Sequence, residues 1–240
     1  MDVYWMEQTK ADVPAENQWL SANEMLCLGG LRFAKRRTDW RLGRWTAKLA
    51  LAARLNLPTD LEALANIEIR AASSGAPEVY LLNQAASVTI SLSHRAGAAM
   101  CAVALADASL GCDLEVVEPR NDAFGADYFT ANEQALVDRE LVEARPLLTT
   151  LIWSAKESAL KALHQGLRLD TRCMDVSPVD SAARHVENGR QNPYPFSLIA
   201  PVSDGWCPLR VRYSGGRDFC GWWRHADDLL RTIVYDSPLL

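Results

Sequence analysis

The segment that most constrains the fold is a short apolar run that nonetheless carries two acidic residues. Asp113 and Glu115 alternate with apolar neighbours between Leu110 and Val117, which predicts a β-strand with both carboxylates on one face. A strand this apolar is typical of the interior of a sheet, where unpaired charges cost free energy. The pattern therefore indicates that the carboxylates meet a cation. The usual alternative, for an isolated pair of this kind, is a solvated sheet face.

A second charged group lies on a helical pattern further along the chain. Trp153, Glu157 and Lys161 are spaced four residues apart, so they share one face of a helix. A glutamate and a lysine at this spacing usually form a surface ion pair worth only about 0.3–0.5 kcal/mol. The tryptophan on the same face argues against a solvated surface and favours the wall of a cleft. Asp113, Glu115 and Glu157 together offer the oxygen ligands that suit Mg²⁺.

Composition and charge exclude several classes of protein. The chain has 240 residues, of which 49% are hydrophobic, and this length fits one large domain or two modest lobes. The net charge of −5 argues against general nucleic-acid binding. Six scattered cysteines without C-x-x-C spacing predict reduced thiols rather than zinc. Since we find neither a membrane-length apolar run nor a signal-peptide pattern, we expect a cytoplasmic protein without membrane contact.

Periodicity predicts helices followed by antiparallel strands in both halves of the chain, which is an α+β fold. Helical patterns cover residues 34–55, 132–139 and 146–165. Strand patterns cover residues 67–70, 78–82, 88–93, 98–105, 110–117, 195–200, 209–213, 219–224 and 230–235. Short connections between the strands at 88–93, 98–105 and 110–117 predict an antiparallel meander. We place a boundary near residues 106–109, between an N-terminal lobe (1–107) and a C-terminal lobe (108–240).

Taken together, the acidic strand and the charged helix resemble a known enzyme family. Gly-x-Asp-x-Glu at residues 111–115, followed by Trp-Ser-x-Lys-Glu-x-x-x-Lys at residues 153–161, is similar to the surfactin-type 4′-phosphopantetheinyl transferases. The resemblance covers about residues 30–175. It implies an enzyme of the holo-[acyl-carrier-protein] synthase type, which moves the phosphopantetheine arm of coenzyme A to a serine of an apo acyl or peptidyl carrier protein. It also implies two similar lobes related by a pseudo-twofold axis, with the active site between them.

The resemblance implies roles for the charged residues of the C-terminal lobe. Asp113, Glu115 and Glu157 would bind Mg²⁺, or Mn²⁺, and through it the pyrophosphate of coenzyme A. Glu157 would take the proton of the carrier serine, and Lys161 would stabilise charge on the departing 3′,5′-ADP. Lys156 and Lys161 would contact phosphate oxygens. The sequence leaves open whether Glu157 or a metal-bound water is the base.

Residues of the N-terminal lobe resemble the contacts that the family makes with coenzyme A. Arg36, Arg37 and Arg44 are similar to a basic segment that grips the 3′-phosphate, although they also fit an exposed helix face. The geometry of the arginine fork suits such a dianion. Ser93 and His94 are similar to the end of the family's Asn-Ile-Ser-His segment, whose serine and histidine reach the phosphates. A lone histidine at a strand end is otherwise usually structural.

A third resemblance concerns the adenine end of coenzyme A. Arg70, Gly75 and Pro77 are similar to the Arg…Gly-x-Pro element that lines the adenine pocket in the family. Ala76 stands where many members have lysine, so one cationic contact is absent here.

The remaining expectations concern the carrier protein and rival functions. Thr130 and Glu133 have the spacing of a helix capping box, and the two preceding residues, Tyr128 and Phe129, are expected to form a small apolar surface for the carrier. We expect a monomer that binds no nucleic acid, and the type of carrier stays open. One rival is a catalytically silent homologue that only docks carriers, which the intact acidic residues and lysines disfavour. The other is a magnesium-dependent nuclease, which the helical pattern and the acidic balance disfavour.

Overall fold

The computed structural model describes residues 3–105, 108–178 and 205–236. The chain divides into two compact units, one formed by Val3–Ala108 and the other beginning at Ser109. Both combine helices with antiparallel sheets, so the fold class is α+β, as predicted. Within these described ranges, no helix is long and apolar enough to cross a lipid bilayer.

The first unit packs one long helix against a small antiparallel sheet. In chain order, its strands and α-helices are β1 (Val3–Thr9), α1 (Ala22–Gly30), α2 (Ala34–Leu55), α3 (Leu61–Ala65), β2 (Ile67–Ala71), β3 (Pro77–Leu81), β4 (Gln84–Ala85), β5 (Val88–Arg95) and β6 (Ala98–Leu105). One sheet has the strand order β1-β6-β5, and the other has the order β2-β3-β4. The helix α2 lies against β1, β5 and β6, and Leu51, Ile90 and Val103 are among the buried residues of this core.

The second unit places its long helix on a larger sheet. In chain order, its strands and α-helices are β7 (Leu110–Val116), α4 (Asp122–Tyr128), α5 (Ala131–Arg139), α6 (Arg145–Ala162), β8 (Met174–Pro178), β9 (Cys207–Tyr213), β10 (Arg217–Ala226) and β11 (Leu229–Asp236). The sheet has the strand order β7-β11-β10-β9-β8, with all neighbours antiparallel. The helix α6 lies against β7 and β11 and buries Ile152 together with Phe219 and Val234.

Most of the predicted elements are confirmed. The helix predicted at residues 34–55 is α2, and it ends where Asn56 adopts the left-handed conformation with a φ of 54°. The strands predicted within the described ranges match β2, β3, β5, β6, β7, β9, β10 and β11 to within two residues at each end. The strand predicted at 195–200 lies outside the described residues. The sequence patterns did not indicate β1, α1, β4, α4 or β8.

The predicted meander is wrong. β5 and β6 form a hairpin, but β7 pairs with β11 in the sheet of the second unit and not with β6. The other edge of β6 is taken by β1, which pairs with it from Val3 opposite Ala104 to Thr9 opposite Ala98. The prediction used only the lengths of the connections between neighbouring strands. β1 and β11 come from opposite ends of the described chain, so connection length gives no information on how they pair.

The glycine of the acidic strand is required by the close approach of α6. A Cβ atom on Gly111 would collide with the backbone carbonyl oxygen of Ser158 on α6. A side chain at this position would therefore push the helix away from β7. The absence of a side chain brings Glu157 and Lys161 close to the strand that carries Asp113.

A buried lysine of α6 is bound to the capping glutamate of α5. Thr130 and Glu133 form a reciprocal capping box, with Thr130 N donating to Glu133 Oε2 at 2.8 Å, so this prediction is confirmed. Lys156 Nζ lies 2.7 Å from the same Oε2, and the amide of Val176 donates to Oε1 at 2.8 Å. Lys156 also donates to three backbone carbonyls, those of Tyr128 (3.1 Å), Thr171 (2.8 Å) and Met174 (2.9 Å). We call this arrangement, centred on Lys156 and Glu133, the lysine clamp.

The first unit contains the same arrangement. Ser21 and Glu24 form the capping box of α1, and Lys48 of α2 lies 2.6 Å from Glu24 Oε2. The amide of Ile69 donates to Glu24 Oε1, a bond that spans 45 residues where its counterpart in the second unit spans 43. Lys48 also donates to the carbonyls of Trp19 (2.8 Å) and Leu64 (3.0 Å). A duplicated lobe would produce such a repeat, while the pseudo-twofold axis stays a prediction.

We expect the lysine clamp to dominate the stability of the second unit. Burial raises the pKa of Glu133 and lowers that of Lys156, against their mutual attraction, so neither charge is tolerated without the other. Lys156→Met should lower the free energy of unfolding by about 3–5 kcal/mol, because a buried carboxylate and several carbonyls lose their partner. Urea denaturation followed by tryptophan fluorescence measures the loss.

Two further variants test this explanation. Adding Glu133→Gln to Lys156→Met should recover part of the loss, since the uncompensated charge is removed. Lys161→Met, at a lysine whose side chain is 30% exposed, should cost less than Lys156→Met. An unchanged unfolding midpoint for Lys156→Met would contradict the clamp.

Candidate active site

Asp113 is held at both of its carboxylate oxygens by residues of α6. The residue is buried, and it stands opposite Thr232 of β11 in the sheet. Lys161 Nζ lies 2.7 Å from Asp113 Oδ1 and also donates to the carbonyl of Cys112 at 3.0 Å. Ser154 Oγ donates to Asp113 Oδ2 at 2.8 Å. The strand and the helix that the sequence predicted to meet are therefore joined directly at this carboxylate.

Glu115 lies on the same strand and receives different partners. Trp153 Nε1 donates to Glu115 Oε1 at 3.3 Å, and Arg120 Nη2 lies 3.7 Å from Oε2. Trp153 is nearly buried, with ring centroids 5.2 Å from Phe124 and 4.9 Å from Tyr128. The predicted aromatic wall is thus one part of an aromatic cluster that directs an indole N–H toward a carboxylate.

The protonation of Glu157 is altered by these surroundings. Burial is the largest cause, and the negative charge of Asp113 adds to it, so that the pKa of Glu157 rises to about 7. The Lys161 ammonium opposes this rise, whereas Glu115 adds to it. Lys161 shows the complementary effect, since burial disfavours its charge but attraction to Asp113 outweighs burial and raises its pKa. Negative charge is therefore in excess around Glu157.

The three carboxylates fit a hard divalent cation by their chemistry. Carboxylate oxygens are the ligands that Mg²⁺ prefers in proteins. Burial contributes most to the raised pKa of Glu157, and repulsion by Asp113 and Glu115 adds to it; a bound divalent cation would relieve this repulsion. The residues do not form a finished cage, because no group of three or more histidine, cysteine, aspartate or glutamate side chains in the described ranges is arranged to hold a metal ion.

Lys156 does not join this group. Its ammonium has three N–H groups, and Glu133 and three backbone carbonyls of the lysine clamp surround it at 3.1 Å or less. No N–H is left for the phosphate contact that the resemblance implied. Consecutive helix residues differ by about 100° in direction, so Lys156 points into the core while Glu157 points toward Asp113. The sequence did contain a signal for this buried role of Lys156. A capping box precedes Lys48 in the first half of the chain just as one precedes Lys156 in the second half.

The predicted phosphate-binding arginines of α2 have different surroundings. Arg37 lines a cavity of about 310 Å³ in the first unit, together with Arg32 and Arg41. Arg41 also donates to the backbone carbonyls of Pro14 and, at 3.0 Å, Ala15. Sequence reasoning missed Arg32 because it precedes the helical pattern. A cavity lined by three guanidinium groups suits an anion.

The other two arginines of this predicted segment lie elsewhere. Arg36 is exposed and does not line the cavity of Arg37. Arg44 is mostly buried, with its Nε 3.6 Å from Glu24 and its guanidinium 4.8 Å from the centre of the Trp40 ring. Arg44 thus neutralises the buried glutamate of the first unit, which leaves it a less suitable phosphate contact than Arg37.

The adenine-end residues meet in the hairpin of β2 and β3. Gly75 adopts a φ of 89° in its turn, and Pro77 opens β3 opposite Ala71. Arg70 donates from Nε to Glu68 at 2.6 Å and lies 3.8 Å above the centre of the Tyr80 ring. Its guanidinium is therefore oriented by neighbours within the hairpin.

The two residues implied to reach the phosphates lie at the end of β5. His94 is exposed and pairs with Ala99 of β6. Ser93 is partly buried and pairs with Met100. Strand alternation points these two side chains to opposite faces of the sheet.

Three residues of the site escaped the sequence analysis. Ser154 belongs to the Trp-Ser part of the motif, but its contact with Asp113 could not be read from spacing. Arg120 pairs with both Glu115 and Glu118, and nothing in the pattern of β7 indicates this. Thr232 reaches the site only through the pairing of β11 with β7.

The raised pKa of Glu157 predicts how stability depends on pH in metal-free protein. The unfolded chain releases this proton near pH 4.5, whereas the folded protein keeps it up to a pH of about 7. The free energy of unfolding should therefore fall as the pH rises between these values, by up to about 3 kcal/mol, and then level off. Urea denaturation in the presence of a chelator at several pH values measures this. Glu157→Gln should lose this part of the pH dependence, and identical profiles for both proteins would contradict the assignment.

Comparison with known proteins finds one family match, in the segment that contains these carboxylates. The sequence model of the 4′-phosphopantetheinyl transferase superfamily matches residues 109–204, a range that contains β7 and α6 and so Asp113, Glu115, Glu157 and Lys161. The chain matches no curated protein.

Proposed function

We propose that the protein is a surfactin-type 4′-phosphopantetheinyl transferase, which moves the phosphopantetheine arm of coenzyme A to a serine of an apo carrier protein. The superfamily match over residues 109–204 supports the transfer of this group. The observation that carries the proposal is the placement of Glu157 beside the Asp113–Lys161 ion pair inside that matched segment. We propose a cytoplasmic, monomeric enzyme, as the sequence analysis expects.

The proposed reaction uses the two charged residues of α6 that face Asp113. The oxygen of the carrier serine attacks the β-phosphorus of coenzyme A, and the bond from that phosphorus to the oxygen of 3′,5′-ADP breaks. The proton of the serine passes to Glu157, which lies beside Asp113 and Lys161. Lys161 stays protonated beside Asp113 and donates to the charge that develops on the departing 3′,5′-ADP.

Asp113, Glu115 and Glu157 are the residues that would hold Mg²⁺ or Mn²⁺ in this proposal. The cation would neutralise charge on the pyrophosphate. Arg120 beside Glu115 and Lys161 beside Asp113 then compensate for the remaining negative charge of the site.

The first unit would supply the contacts to coenzyme A. Arg37, with Arg32 and Arg41, is the group best suited to the 3′-phosphate, because several guanidinium groups line one cavity. His94, which is exposed at the end of β5, would reach the phosphates, whereas the Ser93 side chain points to the opposite face of the sheet. The hairpin that contains Arg70, Gly75 and Pro77 would line the adenine pocket.

The carrier surface expected at Tyr128 and Phe129 needs revision. Phe129 is 2% exposed and packs in the core of the second unit, so it is not available to a partner. Tyr128 is 37% exposed, and Val142 is 70% exposed at the rim of a cavity of about 620 Å³. Arg120 also lines this cavity, which links it to Glu115. We propose that the carrier docks along this cavity.

Mass spectrometry of apo carrier proteins tests the proposed function. Carriers of the fatty-acid, polyketide and peptide-synthetase types are incubated with the protein, coenzyme A and Mg²⁺ or Mn²⁺. At least one carrier should gain the mass of one phosphopantetheine, and Asp113→Asn should abolish this gain because it removes a charge from the site. Glu118→Gln is the matched control, since Glu118 pairs with the same Arg120 from outside the motif, and it should retain transfer. A carrier that binds without any gain in mass would indicate a silent homologue instead.

The arginines of α2 offer a paired test of the coenzyme A contact. Arg37→Ala should weaken coenzyme A binding by roughly 10- to 100-fold, as expected for loss of a charge-assisted hydrogen bond of about 1.5–3 kcal/mol. Its effect on dephospho-coenzyme A, which lacks the 3′-phosphate, should be much smaller. Arg36→Ala removes an exposed neighbour of equal charge and should change both affinities only slightly. Calorimetric titration measures all four affinities, and equal losses for the two ligands with Arg37→Ala would refute the contact.

A further inference from the structure

A chain of three buried hydroxyl groups leads to the carboxylate of Asp113. Ser154 Oγ donates to Asp113 Oδ2 at 2.8 Å and lies 2.8 Å from Thr232 Oγ1. Thr232 Oγ1 lies 2.7 Å from Ser158 Oγ. The side chains of Ser154, Ser158 and Thr232 are all fully buried. The chain therefore begins on α6, crosses to β11 and returns to α6 before it reaches the carboxylate on β7.

The number of available protons determines the direction of each hydrogen bond. Each hydroxyl group has one hydrogen to donate. Asp113 is paired with the Lys161 ammonium, so its Oδ2 accepts and the hydrogen of Ser154 is used there. The short contact between Ser154 and Thr232 then requires the hydrogen of Thr232, and the contact between Thr232 and Ser158 requires that of Ser158. The donors run from Ser158 to Thr232 to Ser154 to Asp113.

Alternative acceptors for these hydroxyl groups are available only at longer distances. Thr232 Oγ1 lies 3.1 Å from the carbonyl oxygen of Ser154, and Ser158 Oγ lies 3.4 Å from that of Thr232. If Thr232 donated to the carbonyl alone, two hydroxyl oxygens would face each other at 2.8 Å without a hydrogen between them. That arrangement is unfavourable in a buried site, where polar groups need partners.

We propose that Thr232 is a positioning residue of the site. By donating to Ser154, it keeps the Ser154 hydroxyl directed at Asp113 and so orients the carboxylate that would bind the divalent cation. The inference rests on the proposed function in one respect only, namely that Asp113 binds the divalent cation. Hydrogen-bond partners behind metal ligands typically contribute 10- to 100-fold to metal affinity.

Thr232→Val tests the role because valine keeps the branched shape and removes the hydroxyl. Binding of Mn²⁺ to the full chain is measured by electron paramagnetic resonance, with Mg²⁺ as competitor and without any other substrate. The dissociation constant should rise by about 10-fold or more, whereas turnover at saturating Mg²⁺ should change much less. Thr232→Ser keeps the donor and should restore the affinity.

Thr150→Val is the matched control. Thr150 is also fully buried, on the same helix as Ser154, and in the described part of the chain its hydroxyl has no hydrogen-bond partner. Its replacement should leave the Mn²⁺ affinity unchanged. If Thr232→Val does not fold, as judged by thermal unfolding, Ser158→Ala removes the first donor of the chain, and it should also weaken Mn²⁺ binding.

The outcomes separate this inference from the proposed function. Native Mn²⁺ affinity in folded Thr232→Val overturns the positioning role, and so does a loss that Thr232→Ser fails to restore. Absence of Mn²⁺ binding in the unaltered protein also overturns it. If the unaltered protein binds Mn²⁺ but modifies no carrier, the proposed function fails, and the comparison of Thr232→Val with Thr150→Val still decides the positioning role.

Discussion

The second unit depends on one buried ion pair, that between Lys156 and Glu133. Burial disfavours both charges, so the pair is tolerated only because it is also bound to five backbone groups, three carbonyls at Lys156 and two amides at Glu133. The glutamate caps α5, the lysine belongs to α6, and Val176 belongs to β8. One cluster thus sets the relative positions of two helices and a strand, including the rotation of α6 about its axis.

That rotation determines what the neighbouring residues of α6 can do. With Lys156 fixed in the core, Glu157 and Lys161 face β7, and Gly111 lets the helix come close enough for direct contact with Asp113. The pKa of Glu157 is raised first by burial and then by repulsion from Asp113, which the nearby cations only partly balance. Such a surplus of charge costs stability in the absence of a ligand and becomes favourable when a cation binds.

The first unit contains the same kind of lysine–glutamate cluster, but the charged side chains near it are different. Glu24 and Lys48 repeat the roles of Glu133 and Lys156, with the capping box and the strand amide in corresponding places. Its long helix carries several arginines, and Arg44 adds a second cation beside Glu24. The same cluster thus occurs in one unit beside a cavity lined by arginines and in the other beside a group of carboxylates.

The sequence by itself determined the α+β class, the bounds of α2 and most strands, and the meeting of Asp113 with the helix that carries Glu157 and Lys161. These features are local in the sequence or follow from its periodicity, because the spacing of apolar residues indicates which side of a helix or strand packs against the core. Only the tertiary structure decided that Lys156 is a clamp residue, that β7 pairs with β11, and that Thr232 stands behind Asp113. Their partners are distant in the sequence, and a side chain's available donors are known only once every neighbouring acceptor is in place.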